Sequence, residues 1–461
     1  MKPSSWPMRW PAGEGWLRPS ALNILNDTPI DTLILPQAAA SQNSKPFFDE
    51  ARRRGIALVA FTGDASDPAA ARAAGFDALA SPKASGSVIP WTPRGEMPRN
   101  SAAPVLAVTE SVWPSVRASN TERWAGGAGA ASADAGPTGV PWVDTNGWFV
   151  QMARVLAPGK GIWIVVDPPE KMTTLRAETY MLAVADAAAY GGRWVVSLDD
   201  AFAGGLAAGD SSALADWKAV AGALKFFAAR QQWAAYQPIG AVGVISDYHG
   251  ENEFLSTEIL NLISRRHVPF RVIENSALRA GALDGLKAVI YADQQLPAEP
   301  LRKQLVAFAQ AGGLLVCPKA SASLASGPAV PGSHGRFQVH KAGSGRIAVS
   351  TEDSMDPHVC SGDVHMLLGR RQDLIRVWNP GAANSYYTSP AGGRGAHLQV
   401  LSYTRHQVTD MSVYFAHSWR SGRFWTIDSQ QARTVAAIKR LDGVEMHIPP
   451  FAVYFAMELE G

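Results

Sequence analysis

The chain has 461 residues, too many for a single core, so two to three domains are expected. It is 47% hydrophobic and 18% charged, with 42 Lys and Arg set against 40 Asp and Glu. That balance offers no basic face for nucleic acid, and no apolar run nears the roughly 20 residues that span a bilayer.

Up to about residue 236, short apolar runs alternate with alanine-rich helical stretches. The runs predict strands at Pro7–Trp10, Thr32–Leu35, Ala57–Phe61, Asp77–Ala80, Val105–Val108, Pro141–Val143, Ile162–Val166 and Trp194–Leu198. Helices are expected at Phe47–Arg54, Pro68–Ala74, Trp148–Leu156, Ala177–Tyr190 and Ala213–Tyr236. Eight strands alternating with helices over such a length predict a (β/α)8 TIM-like barrel. The first strand carries a proline and no apolar run, so a seven-stranded barrel is the alternative. Gly126–Gly139, rich in Gly, Ala and Ser, reads as a long loop.

A second unit is expected over 237–321: strand Ile239–Ser246, helix Asn252–Arg266, strands Phe270–Ile273 and Ala288–Tyr291, helix Leu301–Gln310, then the strand ending in Leu-Leu-Val-Cys. Successive βαβ units predict a small open α/β domain of flavodoxin-like or amidotransferase-like type. Over 322–461, runs such as Leu374–Trp378, His397–Tyr403, Met411–Ala416 and Phe451–Leu459 predict an antiparallel β-sandwich.

Four apolar runs of the first region end in acids: Glu110, Asp144, Asp167 and the Asp199–Asp200 doublet. Carboxylates at the carboxyl ends of barrel strands converge on one face, where such enzymes do their chemistry. Glycosidic cleavage needs two carboxyl groups flanking the scissile bond, about 5–5.5 Å apart for retention and about 6.5–9.5 Å for inversion. Asp144 is the first choice, set in Val-Pro-Trp-Val-Asp-Thr-Asn-Gly-Trp with Asn146 beside it, although an Asp before a helix also serves as an N-cap. One member of the Asp199–Asp200 doublet should face the mouth. Asp167 precedes Pro168-Pro169, which hold it on an extended chain, with Glu170 as a nearby alternative acid.

Of the 15 tryptophans, Trp6, Trp10, Trp16, Trp91, Trp113, Trp124, Trp142 and Trp148 fall in the first third. Indole faces stack on pyranose rings, so Trp10, Trp113, Trp142 and Trp148 are candidate subsite walls. Asn146 is a candidate polar contact and Arg9 a candidate partner for an anionic sugar or a structural ion pair. Trp163 and Trp194, inside strands, read as core.

No histidine pair has metal-ligand spacing, and there is no Gly-x-Ser-x-Gly elbow and no phosphate-binding glycine loop. No metal or cofactor is therefore expected. Asp247, His249 and Glu253, between strand and helix of the second unit, read chiefly as helix-capping groups. Cys317 and Cys360 lie far apart, with Cys317 inside an apolar run. The N-terminal Met-Lys-Pro-Ser-Ser-Trp-Pro lacks an apolar signal core. The expected compartment is cytoplasmic, or periplasmic or secreted if a signal peptide has been removed.

The order of barrel, small α/β unit and β-sandwich resembles the family 42 β-galactosidase type of glycoside hydrolase. The resemblance is carried by Leu301–Cys317, a helix ending in Ala-Gly-Gly-Leu-Leu-Val, and by the tail His447-Ile-Pro-Pro-Phe-Ala-Val-Tyr-Phe-Ala-Met-Glu-Leu. It implies a glutamine-amidotransferase-like middle domain without an active cysteine, and an oligo- or polysaccharide substrate. A homo-oligomer through that middle domain is a further expectation. Those barrels place Asn-Glu after the fourth strand and Glu after the seventh. Here Ala-Ser-Pro-Lys follows the fourth strand and Asp167 ends the seventh, while Asn252-Glu253 falls in the second unit. The family's catalytic pair does not carry over. The sequence therefore supports a glycoside hydrolase-like protein, with a non-catalytic carbohydrate-binding or scaffolding protein as the alternative.

Overall fold

The computed structural model describes residues 2–461 apart from 14, 64–66, 117–141, 170–175, 280, 333 and 405. Trp124, the loop 126–139, Pro141 and Glu170 lie outside the described residues. The chain groups into two compact units. Met1–Ser115, Asp144–Ala235 and Thr426–Gln431 form the first, and Val116–Val143, Tyr236–Trp425 and Ala432–Gly461 the second.

The first unit is a ring of parallel strands. In chain order these are β1 (Pro7–Arg9), β2 (Thr32–Pro36), β3 (Ala57–Phe61), β4 (Ala78–Ser81), β5 (Ile89–Pro93) and β6 (Val105–Thr109). β9 (Gly161–Ile164), β10 (Arg193–Trp194) and β11 (Val196–Ser197) complete the ring, while β7 (Ser115–Val116) and β8 (Val143–Asp144) stand outside it. The ring order is β10-β9-β6-β5-β4-β3-β2-β1-β11. β10 and β11 are two halves of one segment broken at Val195. Arg193 and Trp194 pair with Trp163 and Ile164, whereas Val196 and Ser197 pair with Met8 and Arg9. One segment therefore closes the ring, which gives eight strand positions. Its strands are apolar on both faces because helices cover the outside: Leu33, Ile34 and Leu35 are all buried. Ile34, Val59, Ala80, Ile89, Trp91, Val105, Ala107, Trp163, Val165 and Val195 pack together as one cluster.

The TIM-like barrel expected from the sequence is thus present, with one strand exchanged. Ile89–Pro93 pairs with β4 and β6 inside the ring. Val143–Asp144 instead pairs only with Ser115–Val116, in a separate two-stranded sheet. Pro7–Arg9 pairs on both sides, so the barrel is not seven-stranded. Carboxylates start the outer helices, with Asp67, Asp199 and Asp210 accepting from backbone N–H groups of Ala69, Phe202 and Ala213.

In the second unit, strands 242–246, 270–274, 288–291, 314–317 and 345–350 run parallel, with 337–342 antiparallel at the edge. The sheet thus extends to residue 350, through a hairpin that the sequence reading assigned to the sandwich. Phe337 and Val339 alternate with polar residues as a sandwich strand would. At the carboxyl end of 242–246, buried Asp293 accepts from the Ser246 hydroxyl at 2.6 Å and from Asn275 Nδ2 at 2.6 Å. Asp247 accepts from the His249 amide at 3.0 Å and from Asn252 Nδ2 at 3.1 Å. Two antiparallel sheets of six and four strands follow. Leu398, Val400, Phe455 and Met457 of one meet Val413, Phe415 and Met446 of the other in a shared core, as in a β-sandwich.

Candidate active site

A cavity of about 1080 Å³ opens at the carboxyl ends of the barrel strands. Trp10, Trp16, Phe61 and Trp91 supply its aromatic walls, and Arg9, Glu110, Asp167, Ser197 and Asp200 are among its polar lining residues. This is the end of a parallel barrel from which catalytic groups project.

Period-two alternation explains which side chains reach the cavity. Val165 belongs to the interior cluster, and Asp167, two residues on, lines the cavity. Val195 is interior too, and Ser197, two residues on, lines the cavity. Ala107 leads likewise to Thr109, but the next residue breaks the pattern. Glu110 has φ 55°, left-handed backbone in a residue with a Cβ. Arg94 Nε donates to the Glu110 carbonyl at 2.9 Å, which helps hold the turn. Such conformations cost of order 1–3 kcal/mol and persist where surrounding structure enforces them, often at functional sites.

Arg9 pairs with Asp167, their side chains 36% and 79% exposed. The same guanidinium lies 5.6 Å from the centre of the Trp91 ring. Trp10 is buried, its indole N–H donating to the Trp16 carbonyl at 2.8 Å, and the two rings meet edge to face at 5.2 Å.

The members of the Asp199–Asp200 doublet part ways. Exposed Asp200 lines the cavity. Asp199 is not among the lining residues: it caps the helix Asp200–Ala208 and accepts from the Tyr180 hydroxyl at 3.2 Å. Tyr180 also donates to the Ser197 carbonyl at 3.0 Å and accepts from the Asp199 amide at 2.9 Å, clamping the segment from behind. Burial is the main cause raising the Tyr180 phenol above its ordinary pKa, with the Asp199 carboxylate adding to it.

Asp144, half-buried on β8, is not among the cavity-lining residues. Asn146 is fully buried. Its amide and Nδ2 donate to Asp186 at 2.7 and 3.0 Å, and its Nδ2 and Oδ1 bond the Val112 carbonyl and amide at 2.8 and 3.0 Å. Asn146 thus fastens the stretch after β6 to the helix Arg176–Ala188 rather than presenting an amide to the cavity. The tryptophans singled out nearby are engaged elsewhere. Trp113 stands edge-on to Tyr180 and Trp194 at 5.3 and 5.0 Å. Trp148 is buried with the Arg94 guanidinium 5.5 Å from its ring centre, and the Arg265 guanidinium lies 4.1 Å from that of Trp142.

Of the eleven side chains singled out from sequence, the cavity therefore gathers Arg9, Trp10, Glu110, Asp167 and Asp200. Trp16, Phe61, Trp91 and Ser197 line it without having been singled out for the site. The usable signal was positional, since each lies at or near the carboxyl end of a strand or just beyond one. Among the described residues, no group of three or more His, Cys, Asp and Glu side chains is placed to hold a metal ion.

No family model and no curated protein matches the sequence. Among solved structures, α-L-fucosidase isoenzyme 2 from Paenibacillus thiaminolyticus aligns over 100% of both chains, with a TM-score of 0.58 at 10% identity. A β-galactosidase from Bacillus circulans sp. alkalophilus covers 92% of this chain and 67% of its own, with a TM-score of 0.47 at 10% identity. A GH42 β-galactosidase from G. stearothermophilus gives 92%, 68%, 0.47 and 10% for the same quantities. Identities this low speak to fold alone. The fold, a parallel barrel followed by a β-rich region, is one that glycoside hydrolases use.

Proposed function

We propose that the barrel mouth binds a saccharide and cleaves a glycosidic bond, with Glu110 and Asp167 as the carboxyl pair. The observation carrying this reading is the meeting, in one aromatic-walled cavity, of a conformationally strained Glu110 with Asp167 from the neighbouring strand. β6 and β9 are adjacent, with Val108 opposite Ile164, so the two acids leave the ring about one strand spacing (roughly 4.8 Å) apart. Asp167, held in place by its ion pair with Arg9, is assigned the role of nucleophile or base. Glu110 then supplies the proton to the leaving oxygen, as the two-carboxyl scheme requires.

The test is hydrolysis of a panel of aryl glycosides and oligosaccharides by the wild type, Glu110→Gln and Asp167→Asn. Loss of turnover in both variants, with melting behaviour retained, supports the pair. Unchanged turnover in either removes that residue. Asp144→Asn is the control from outside the cavity lining and should leave turnover largely intact.

The same Arg9–Asp167 ion pair favours a second reading, a carbohydrate-binding protein that keeps the barrel without cutting. A carboxylate held by a guanidinium is a poorer nucleophile than a free one. Saccharide binding without release of reducing ends, in wild type and variants alike, would select it.

A further inference from the structure

Ser197 stands out in the cavity. It is only 3% exposed, and its hydroxyl makes no hydrogen bond to the described residues. Buried hydroxyls are nearly always satisfied, so an unmet one in a cavity wall calls for a partner. The unmet capacity does not come from a slack backbone, because Tyr180 holds the Ser197 carbonyl from outside the ring.

The ring order shows which strands flank this hydroxyl. Arg9 is directly opposite Ser197 on β1. On the other side Arg193 and Trp194 pair with Trp163 and Ile164 of β9, and after Val195 the segment passes to β1. Arg9, Ser197 and Asp167 all line the cavity, and the segment carrying Ser197 lies between β1 and β9 in the closed ring. Arg9 on β1 reaches across that segment to pair with Asp167, which follows β9. The ion pair therefore spans the segment that ends in Ser197.

We propose that Ser197 is a substrate-binding residue, hydrogen-bonding a hydroxyl of an uncharged glycosyl unit that enters between Arg9 and Asp167. This rests on the saccharide-binding part of the proposed function. Arrival of the sugar separates the ion pair, gives Ser197 its missing partner and leaves Asp167 facing the sugar. The charge of the lining selects the substrate class. Arg9 is the one cation among the described lining residues, against the carboxylates of Glu110, Asp167 and Asp200. A uronic acid or sulfated sugar would meet net repulsion there, whereas a neutral, hydroxyl-rich sugar would not.

The experiment is calorimetric titration of neutral monosaccharides, their single-deoxy analogues and the matching uronic acids into wild type, Ser197→Ala and Glu110→Gln. Ser197→Ala should weaken binding of the best neutral sugar about three- to tenfold. One deoxy analogue should bind the wild type correspondingly less well and be insensitive to Ser197→Ala, since both changes remove the same bond. Circular dichroism melting checks that the variant is folded. Should Ser197→Ala bind all ligands as the wild type does, should every analogue lose the same factor, or should a uronic acid bind best, the assignment is overturned. If sugars bind in the expected pattern but Glu110→Gln hydrolyses as fast as the wild type, the cleavage reading fails while Ser197 keeps its role. If no sugar binds, both fall together.

Discussion

The two ends of the barrel are built from similar residues and treat them in opposite ways. At the amino end, Asp31 accepts from the Trp6 amide at 2.8 Å and from the Thr32 hydroxyl at 3.0 Å, and buried Arg193 lies with its guanidinium 4.3 Å from the Trp6 ring centre. At the carboxyl end, Asp167 is largely exposed, Ser197 keeps an unmet hydroxyl and Glu110 sits in left-handed backbone. Acid, base and indole are present at both ends. At the amino end they are packed away, whereas at the mouth the carboxylates and Arg9 line the cavity, although the indoles of Trp10, Trp16 and Trp91 stay buried in its wall. The contrast supports the proposed placing of the site at the mouth.

The contrast makes predictions that can be ranked. Glu110→Gln should lower turnover on a cleaved glycoside about a thousandfold with little change in melting temperature. Comparable activity in the variant would mean that the mouth is not where the chemistry occurs. Tyr180→Phe removes the hydroxyl that clamps both Ser197 and Asp199. It should destabilise by about 1–2 kcal/mol in denaturant titration and raise KM, because the displaced strand end carries Ser197. Glu110→Gly should act in the opposite direction, relieving left-handed strain and raising stability by about 1 kcal/mol while turnover is lost. A gain in stability alongside a loss of activity would distinguish functional strain from mere irregularity.

Arg193→Met should have the smallest effect, within about 1 kcal/mol of wild type and with turnover unaffected. Burial is the main cause bringing the Arg193 guanidinium down to about 10, and an apolar side chain of similar length avoids that desolvation. The sign follows from linkage. With the folded pKa below the unfolded one, the unfolded chain holds more protons between about pH 10 and the ordinary arginine value, so the wild type should gain stability relative to Arg193→Met as pH rises through that window. Parallel pH profiles in the alkaline range would remove the desolvation account of the amino end.

The ring was largely legible in the sequence because a strand buried on both faces must read as an unbroken apolar run. It failed where other constraints intervened. Ile89–Pro93 carries Pro90 and Pro93, which ordinarily argue against a ring strand, and the turn before it, 82–88, has no helix to announce a new unit. Val-Pro-Trp-Val-Asp looks more strand-like and took its place, which moved Asp144 to a strand end that is not in the ring. Trp113 and Trp148 lay near predicted strand ends, yet their rings are held against Tyr180, Trp194 and Arg94. Position along a chain does not say which way an indole turns. Ser197 offered only its place at a strand end, since an unmet hydrogen bond exists only once its surroundings are assembled. In the second unit, the Phe337–Ser350 hairpin reads as a sandwich element because alternation is local, whereas membership of a sheet depends on which strand lies beside it.

The split at Val195 has a consequence for motion. Two residues fasten the segment to one neighbour and the next two to the other, so no residue of it is pinned from both sides. A cylinder so closed has a seam, and its amides there should exchange with solvent ahead of those in the continuous staves. The seam ends at Ser197, so a guest that grips this serine would also lock the hoop shut, and the slowing of exchange at 193–197 would report occupancy from within the wall itself.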